Sequence, residues 1–202
     1  MNFTEEIKYV HFKEIMNCLL SKDDNSFVSS VIQKLNWNID DFNALFGNIE
    51  SRKDIVYIIA LGDWIVESCN CIYKSYEKYA NGFVYSREEE LDESNRQFKA
   101  IRSFVVAHPL NTDRHSKYGY DGKKKCIDII LELSSFNKAF SNYDRPDADF
   151  YLSYYADDAK SAYKNEGHDY SEIYRVVYYN VERMLEFEKY LSRIRKKDLG
   201  KY

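Results

Sequence analysis

The sequence predicts a mainly α-helical fold, a helical bundle with an up-and-down core that carries one small antiparallel β-hairpin. Three observations lead there. Apolar residues keep a period near 3.6 over residues 51–79, a second helical pattern runs from Ile173 to Leu191, and one short run, residues 126–133, is instead rich in β-branched side chains. No repeat, low-complexity tract or linker interrupts the chain, so residues 1–202 are expected to form a single helical domain with the hairpin as an elaboration at about 125–156.

Taken in order, Ile7, Val10, His11, Ile15, Cys18 and Leu19 recur at helical spacing and predict a first amphipathic helix over the N-terminal twenty residues. The polar run Lys22-Asp23-Asp24-Asn25-Ser26 reads as a break, followed by a shorter helix through Phe27, Val31, Ile32 and Leu35. Asn38 or Asp40 is placed to cap a further short turn before Gly47. Ser51 then caps the long central helix, whose inward positions are Ile55, Ile58, Ile59, Gly62, Ile65, Val66, Cys69, Ile72, Tyr73 and Tyr76. Asn81-Gly82 ends it, and Glu88-Glu89-Glu90 opens the next helix, where negative charge suits the N-terminal dipole. Leu91, Phe98, Ile101 and Val105 form the inward face of that helix, and Pro109 ends it at His108. The hairpin pairs residues 126–133 with 149–155, a helical course there being the alternative. A last helix follows Gly167, with Ile173, Val176, Val177, Val181, Met184, Leu185 and Leu191 inward and a basic end of Arg193, Arg195, Lys196 and Lys197.

Composition narrows the function classes. With 45% hydrophobic and 31% charged residues and a net charge of −4, the chain suits a globular protein and not one that coats nucleic acid with its whole surface. The start shows no basic region followed by an apolar run, and no uninterrupted apolar stretch is long enough for a bilayer, so a cytoplasmic location is expected. Cys18, Cys69, Cys71 and Cys126 lack paired metal spacing and read as reduced thiols, and no metal or cofactor is called for. The 19 tyrosines fall at packing spacings and carry no assigned role.

One segment carries chemistry. In Arg102-Ser103-Phe104-Val105-Val106-Ala107-His108-Pro109 an arginine and a histidine bracket an apolar run at a helix end. A guanidinium clamps phosphate with a planar fork of donors and an imidazole moves protons near neutral pH, so the pair suits cleavage of a phosphodiester without metal. Arg114, His115, Lys117, Lys123, Lys124 and Lys125 follow closely, opposed there only by Asp113 and Asp121, which concentrates phosphate attraction beside the pair. A metal-dependent hydrolase built on His108, His115, Asp113, Asp121 or Asp128 is the weaker alternative, because those spacings match no familiar ligand motif. His168, between Gly167 and Asp169, reads as an exposed turn residue.

A helical core, a long central helix and Arg102-x5-His108 at the end of the next helix together resemble the HEPN superfamily of small helical ribonucleases and their inactive relatives, over about residues 51–125. The family pattern is Arg-x4–6-His with an apolar interior. The residue after the arginine is often Asn, Asp or His in that family, whereas Ser103 stands here. The resemblance implies a metal-independent endoribonuclease whose site is completed across a symmetric homodimer. Arg102, His108 and Ser103 would be the catalytic set, with Arg114, His115, Lys117, Lys123 and Lys124 against the RNA backbone, in a toxin–antitoxin or phage-defence setting with an antitoxin partner. The alternative is an inactive HEPN-like dimerising or nucleotide- or RNA-binding module, in which Arg102 pairs with a carboxylate such as Asp63, Glu67 or Asp128 and His108 caps a helix C-terminus.

Overall fold

The structure is a computed structural model that describes residues 5–12, 22–107, 124–130, 145, 147–156 and 163–199. Among these are helices α1 (Lys22–Phe46), α2 (Arg52–Ser75), α3 (Glu88–Arg102) and α4 (Tyr170–Leu199), a 3-10 turn (Glu77–Tyr79) and a π turn (Ser103–Ala107). Strands β1 (Lys124–Ile130), β2 (Phe150–Ala156) and β3 (Tyr163–His168) complete them. The chain is thus mainly helical with a small antiparallel sheet, as its periodicity predicts. It divides into two compact units, one of Met1–Ala44, Leu61–Asp92 and Val176–Tyr202, the other of Leu45–Ala60 and Glu93–Arg175.

In the first unit the N-terminal residues depart from the predicted helix. Residues 5–12 have no helical bonding, and residues 13–20 lie outside the described residues. The reason is tertiary. Asn43 accepts from the Ile7 N–H (2.9 Å) and donates to the Ile7 carbonyl (3.0 Å), and Asn36, two turns earlier on α1, does the same for Val10 (3.0 and 2.8 Å). Side-chain amides thus satisfy backbone groups that a helix would have satisfied internally. Glu188 takes the Phe12 N–H at 2.7 Å, and Phe12 holds a φ of +50° while its ring stacks on Tyr76. Burial of Ile7, Val10 and Phe12 supports this unusual backbone.

α1 is one helix of 25 residues, where a break and two short helices were expected. The polar run 22–26 forms its first turns because Asp24 and Ser26 face solvent, where polarity costs a helix little. Asn38 and Asp40 lie inside it and cap nothing; Asn38 is buried and Asp40 accepts from the Tyr9 hydroxyl. Part of the unit's core is an aromatic cluster in which Phe187 meets Tyr73, Tyr76, Phe83, Phe12 and Tyr190 at centroid distances of 4.9–6.4 Å. The turn after the 3-10 segment uses Gly82 at φ +87°, a left-handed conformation that favours glycine.

In the second unit the predicted cap is present. The Asp54 N–H donates to Ser51 Oγ (3.3 Å), while Asp54 Oδ2 accepts from the Ser51 N–H (2.8 Å) and hydroxyl (2.8 Å). Those donors hold the Asp54 carboxyl below its ordinary range. The sheet runs β1-β2-β3, all antiparallel, with Ile130 opposite Tyr151 and Phe150 opposite His168. β1 and β2 are the expected hairpin strands. A register shift between Lys125 and Ile127 sets Cys126 out of the ladder, as in a bulge. β3 was not expected, since Lys164-Asn165-Glu166-Gly167 has low strand propensity; pairing to β2 supplies what local preference does not.

α2 is, by length and composition, apolar enough to cross a membrane, although more than half of its most apolar window is buried inside the protein, as in a core helix. Ile55, Ile58, Ile59, Ile65, Val66, Cys69 and Ile72, all assigned inward from sequence, are buried.

Candidate functional site

α3 opens on Glu88, Glu89 and Glu90, and in the second unit buries Ser94, Phe98 and Ile101 at positions three or four residues apart. At its end Ala100, Ile101, Ser103 and Phe104 are all buried, while Arg102 between them is half-buried. At 100° per residue the four buried positions fill a sector of about 160°, and Arg102 points about 180° from its centre. Arg102 and Ser103 therefore face different directions at the very end of the α-helix.

The chain then enters the π turn Ser103–Ala107. Bonding from i to i+5 holds more residues per turn than the α-helix, so rotation per residue falls below 100° and the phase of whatever follows changes. Such turns recur at functional positions, and this one occupies the whole interval between the arginine and the histidine. Ser103 is 2% exposed and Phe104 fully buried, whereas Val106 is exposed at 39%. Arg102 and Ser103 both interact with other parts of the protein.

His108, Arg114, His115, Lys117 and Lys123 lie outside the described residues. Lys124 begins β1, opposite Ala156 of β2. Cys69 is buried, and desolvation pushes its thiol up to about 12, which leaves it protonated and unreactive at neutral pH. Among the described residues no group of three or more His, Cys, Asp or Glu side chains is placed to hold a metal. A shallow cleft in the first unit is lined by Glu5, Glu6, Glu182 and Glu186 against Lys8 and Lys189, a net negative rim that disfavours phosphate.

Sequence reasoning missed one site. His168, expected at an exposed turn, is only 6% exposed at the end of β3. Its Nδ1 lies 2.9 Å from Glu172 Oε2 in the first turn of α4, and its Nε2 lies 3.7 Å from Glu166 Oε1. Arg145 bonds Asp169 at 2.6 Å and approaches Glu172 at 3.7 Å. The ring of Phe150 stacks on the imidazole, with centroids 5.6 Å apart. The spacing Glu166-x-His168-x3-Glu172 was the available signal, since i,i+2 shares a strand face and the glutamate falls one helical turn on. Gly167 fits because a Cβ there would come within 2.7 Å of Ala148 Cβ and 3.0 Å of Arg145 Cβ.

Comparison of the chain with models of known protein families, with curated proteins and with solved structures found no match.

Proposed function

We propose that this protein is a metal-independent endoribonuclease of the HEPN type, acting as a cytoplasmic homodimer in a toxin–antitoxin or phage-defence setting. The observation that supports it is the position of Arg102, the last residue of an amphipathic helix, half-buried at the start of a π turn and six residues before His108. A guanidinium anchored in this way loses less side-chain freedom when it clamps a phosphate than one on a flexible loop does.

In this reading His108 takes the proton from a ribose 2′-OH, whose oxygen forms a bond to the adjacent phosphorus as the bond to the 5′-oxygen breaks. The leaving oxygen receives a proton from the imidazolium of the partner copy or from the same ring. Arg102 stabilises the charge growing on the non-bridging oxygens. The products are a 2′,3′-cyclic phosphate and a 5′-hydroxyl, and DNA, lacking the 2′-OH, is not cut. Arg114, His115, Lys117, Lys123 and Lys124 hold the RNA backbone. In this reading Ser103, buried at the helix end, packs inside the protein and does not touch the phosphate.

The test incubates wild type and His108→Ala with mixed RNA in excess EDTA. Cleavage by wild type alone, leaving cyclic phosphate ends, supports the ribonuclease. Activity that disappears in EDTA and returns with a divalent ion overturns the mechanism. The burial of Ser103, where the resembled family often carries a stronger polar group, favours a second reading, an inactive dimerising or RNA-binding module. Inertness of both proteins, with dimerisation retained, would establish that reading in its place.

A further inference from the structure

We infer that α1 carries a ladder for extended polypeptide, and that residues 5–12, seated on it in this structure, are exchanged for the same segment of a second copy of this chain. Asn36 and Asn43 stand seven residues apart, about 10.5 Å along the helix, while Val10 and Ile7 stand three residues apart, about 10 Å of extended chain. The two repeats therefore stay in step. Each amide accepts from one N–H and donates to the carbonyl of the same residue, Asn43 with Ile7 at 2.9 and 3.0 Å and Asn36 with Val10 at 3.0 and 2.8 Å. Such a pair reads backbone and no side chain. The occupant is selected instead by the apolar spacing Ile7, Val10 and Phe12, all buried, by the Tyr9 hydroxyl that donates to Asp40, and by the Phe12 N–H that donates to Glu188 at 2.7 Å.

Three features favour the segment of a second copy as that occupant. Every copy brings both ladder and segment, so exchange keeps each of these contacts, which is the condition for domain swapping. The segment is a single layer with Glu6, Lys8, Tyr9 and His11 exposed, so leaving the ladder withdraws only three buried side chains. It also runs against the direction of α1, with Ile7 at Asn43 and Val10 at Asn36, so within one chain its course must reverse over nine residues, 13–21, to enter the helix at Lys22. Phe12, the residue before that reversal, holds a φ of +50°, a left-handed conformation that persists only while its surroundings impose it. A segment that reaches across to a second copy keeps the ladder without turning back onto its own helix, and Phe12 is then free to relax. The inference does not rest on the ribonuclease reading, whose residues begin at Arg102.

The test mixes equal amounts of unlabelled and isotope-labelled full-length chain and, after equilibration, joins lysines with an amine-reactive cross-linker. Lys8 of the segment and Lys189 of α4 line one cleft and are both exposed, so a link between them reports where the segment sits. Mass spectrometry tells a link within one chain from a link between a labelled and an unlabelled chain. The share of mixed Lys8–Lys189 links should rise at least about tenfold between about 10 μM and about 1 mM, where a second copy comes to match the effective concentration that a short tether gives its own segment. Asn43→Ala loosens the segment equally before and after exchange. Mixed links should therefore form about thirtyfold faster in that variant, the equivalent of two amide hydrogen bonds, with their final share unchanged. Asn36→Ala should do the same at the other anchor. Absence of mixed links at about 1 mM, or a rate that neither variant changes, overturns the exchange. A dimer whose Lys8–Lys189 links stay within single chains overturns it as well.

Discussion

The N-terminal segment offers the sharpest quantitative test, because its docking rests on two asparagines. Asn36 and Asn43 together make four hydrogen bonds of 2.8–3.0 Å to the backbone of Val10 and Ile7. Each is worth about 1 kcal/mol net, so Asn43→Ala removes about 2 kcal/mol and leaves the Ile7 N–H and carbonyl without their partner. That corresponds to a loss of about thirtyfold in exchange protection at Ile7, with a smaller loss at Val10, since the segment is also held by Phe12 and its bond to Glu188. Asn43→Asp keeps an acceptor for the Ile7 N–H and gives up the donor to its carbonyl, so it should fall between wild type and alanine. The double variant Asn36→Ala/Asn43→Ala should cost less than the sum of the singles, because once the segment has come away the second amide has nothing left to hold. Native-state hydrogen exchange and urea denaturation read wild type, the single variants Asn36→Ala, Asn43→Ala and Asn43→Asp, and the double variant. If Ile7 and Val10 exchange as in wild type in both single alanine variants, the amides do not hold the segment and the account of its non-helical course is wrong.

Three further outcomes follow from the same packing. Phe187→Ala, at the centre of five aromatic contacts, should lower unfolding free energy by about 3–5 kcal/mol in denaturant titration; a loss under 1 kcal/mol would show that the cluster repacks freely. Gly82→Ala should cost about 1 kcal/mol, because the left-handed φ of +87° is strained for alanine while its Cβ would meet only Tyr190 Oη at an ordinary 3.4 Å; an unchanged melting temperature would contradict this. Tyr85→Phe should cost about 1.5–3 kcal/mol by removing the 2.6 Å bond to Glu182. Burial, then that bond, raises the Tyr85 phenol above its ordinary 10.0, so the folded state holds the proton more tightly than the unfolded chain. The associated stability is complete below about pH 10 and is lost as pH rises beyond it, and the variant's stability should fall less steeply there.

Much of the helical architecture was legible because it is decided locally. The period of α2, the Ser51 cap, the acidic start of α3 and the apolar face of α4 each depend on residues a few positions apart, and each appears where the pattern places it. At the candidate site, the position of Arg102 at a helix end was legible for the same reason. Its direction was not, because the buried sector of α3 is known only once the neighbouring elements are in place.

The sequence by itself determined which stretches repeat with the turn of a helix and where their ends are capped, since those signals span only one or two turns. Tertiary structure alone decided that residues 5–12 follow the side of α1, that α1 runs unbroken, that β3 exists and that His168 is buried. In the first of these the deciding partners lie 26, 36 and 176 residues away. The strand and the histidine depend on pairing with β2 and on a helix that begins beyond them. A hydrogen bond from a distant side chain outweighs a weak local preference by about the free energy that separates helix from strand, and no local pattern reveals which distant side chain will supply it.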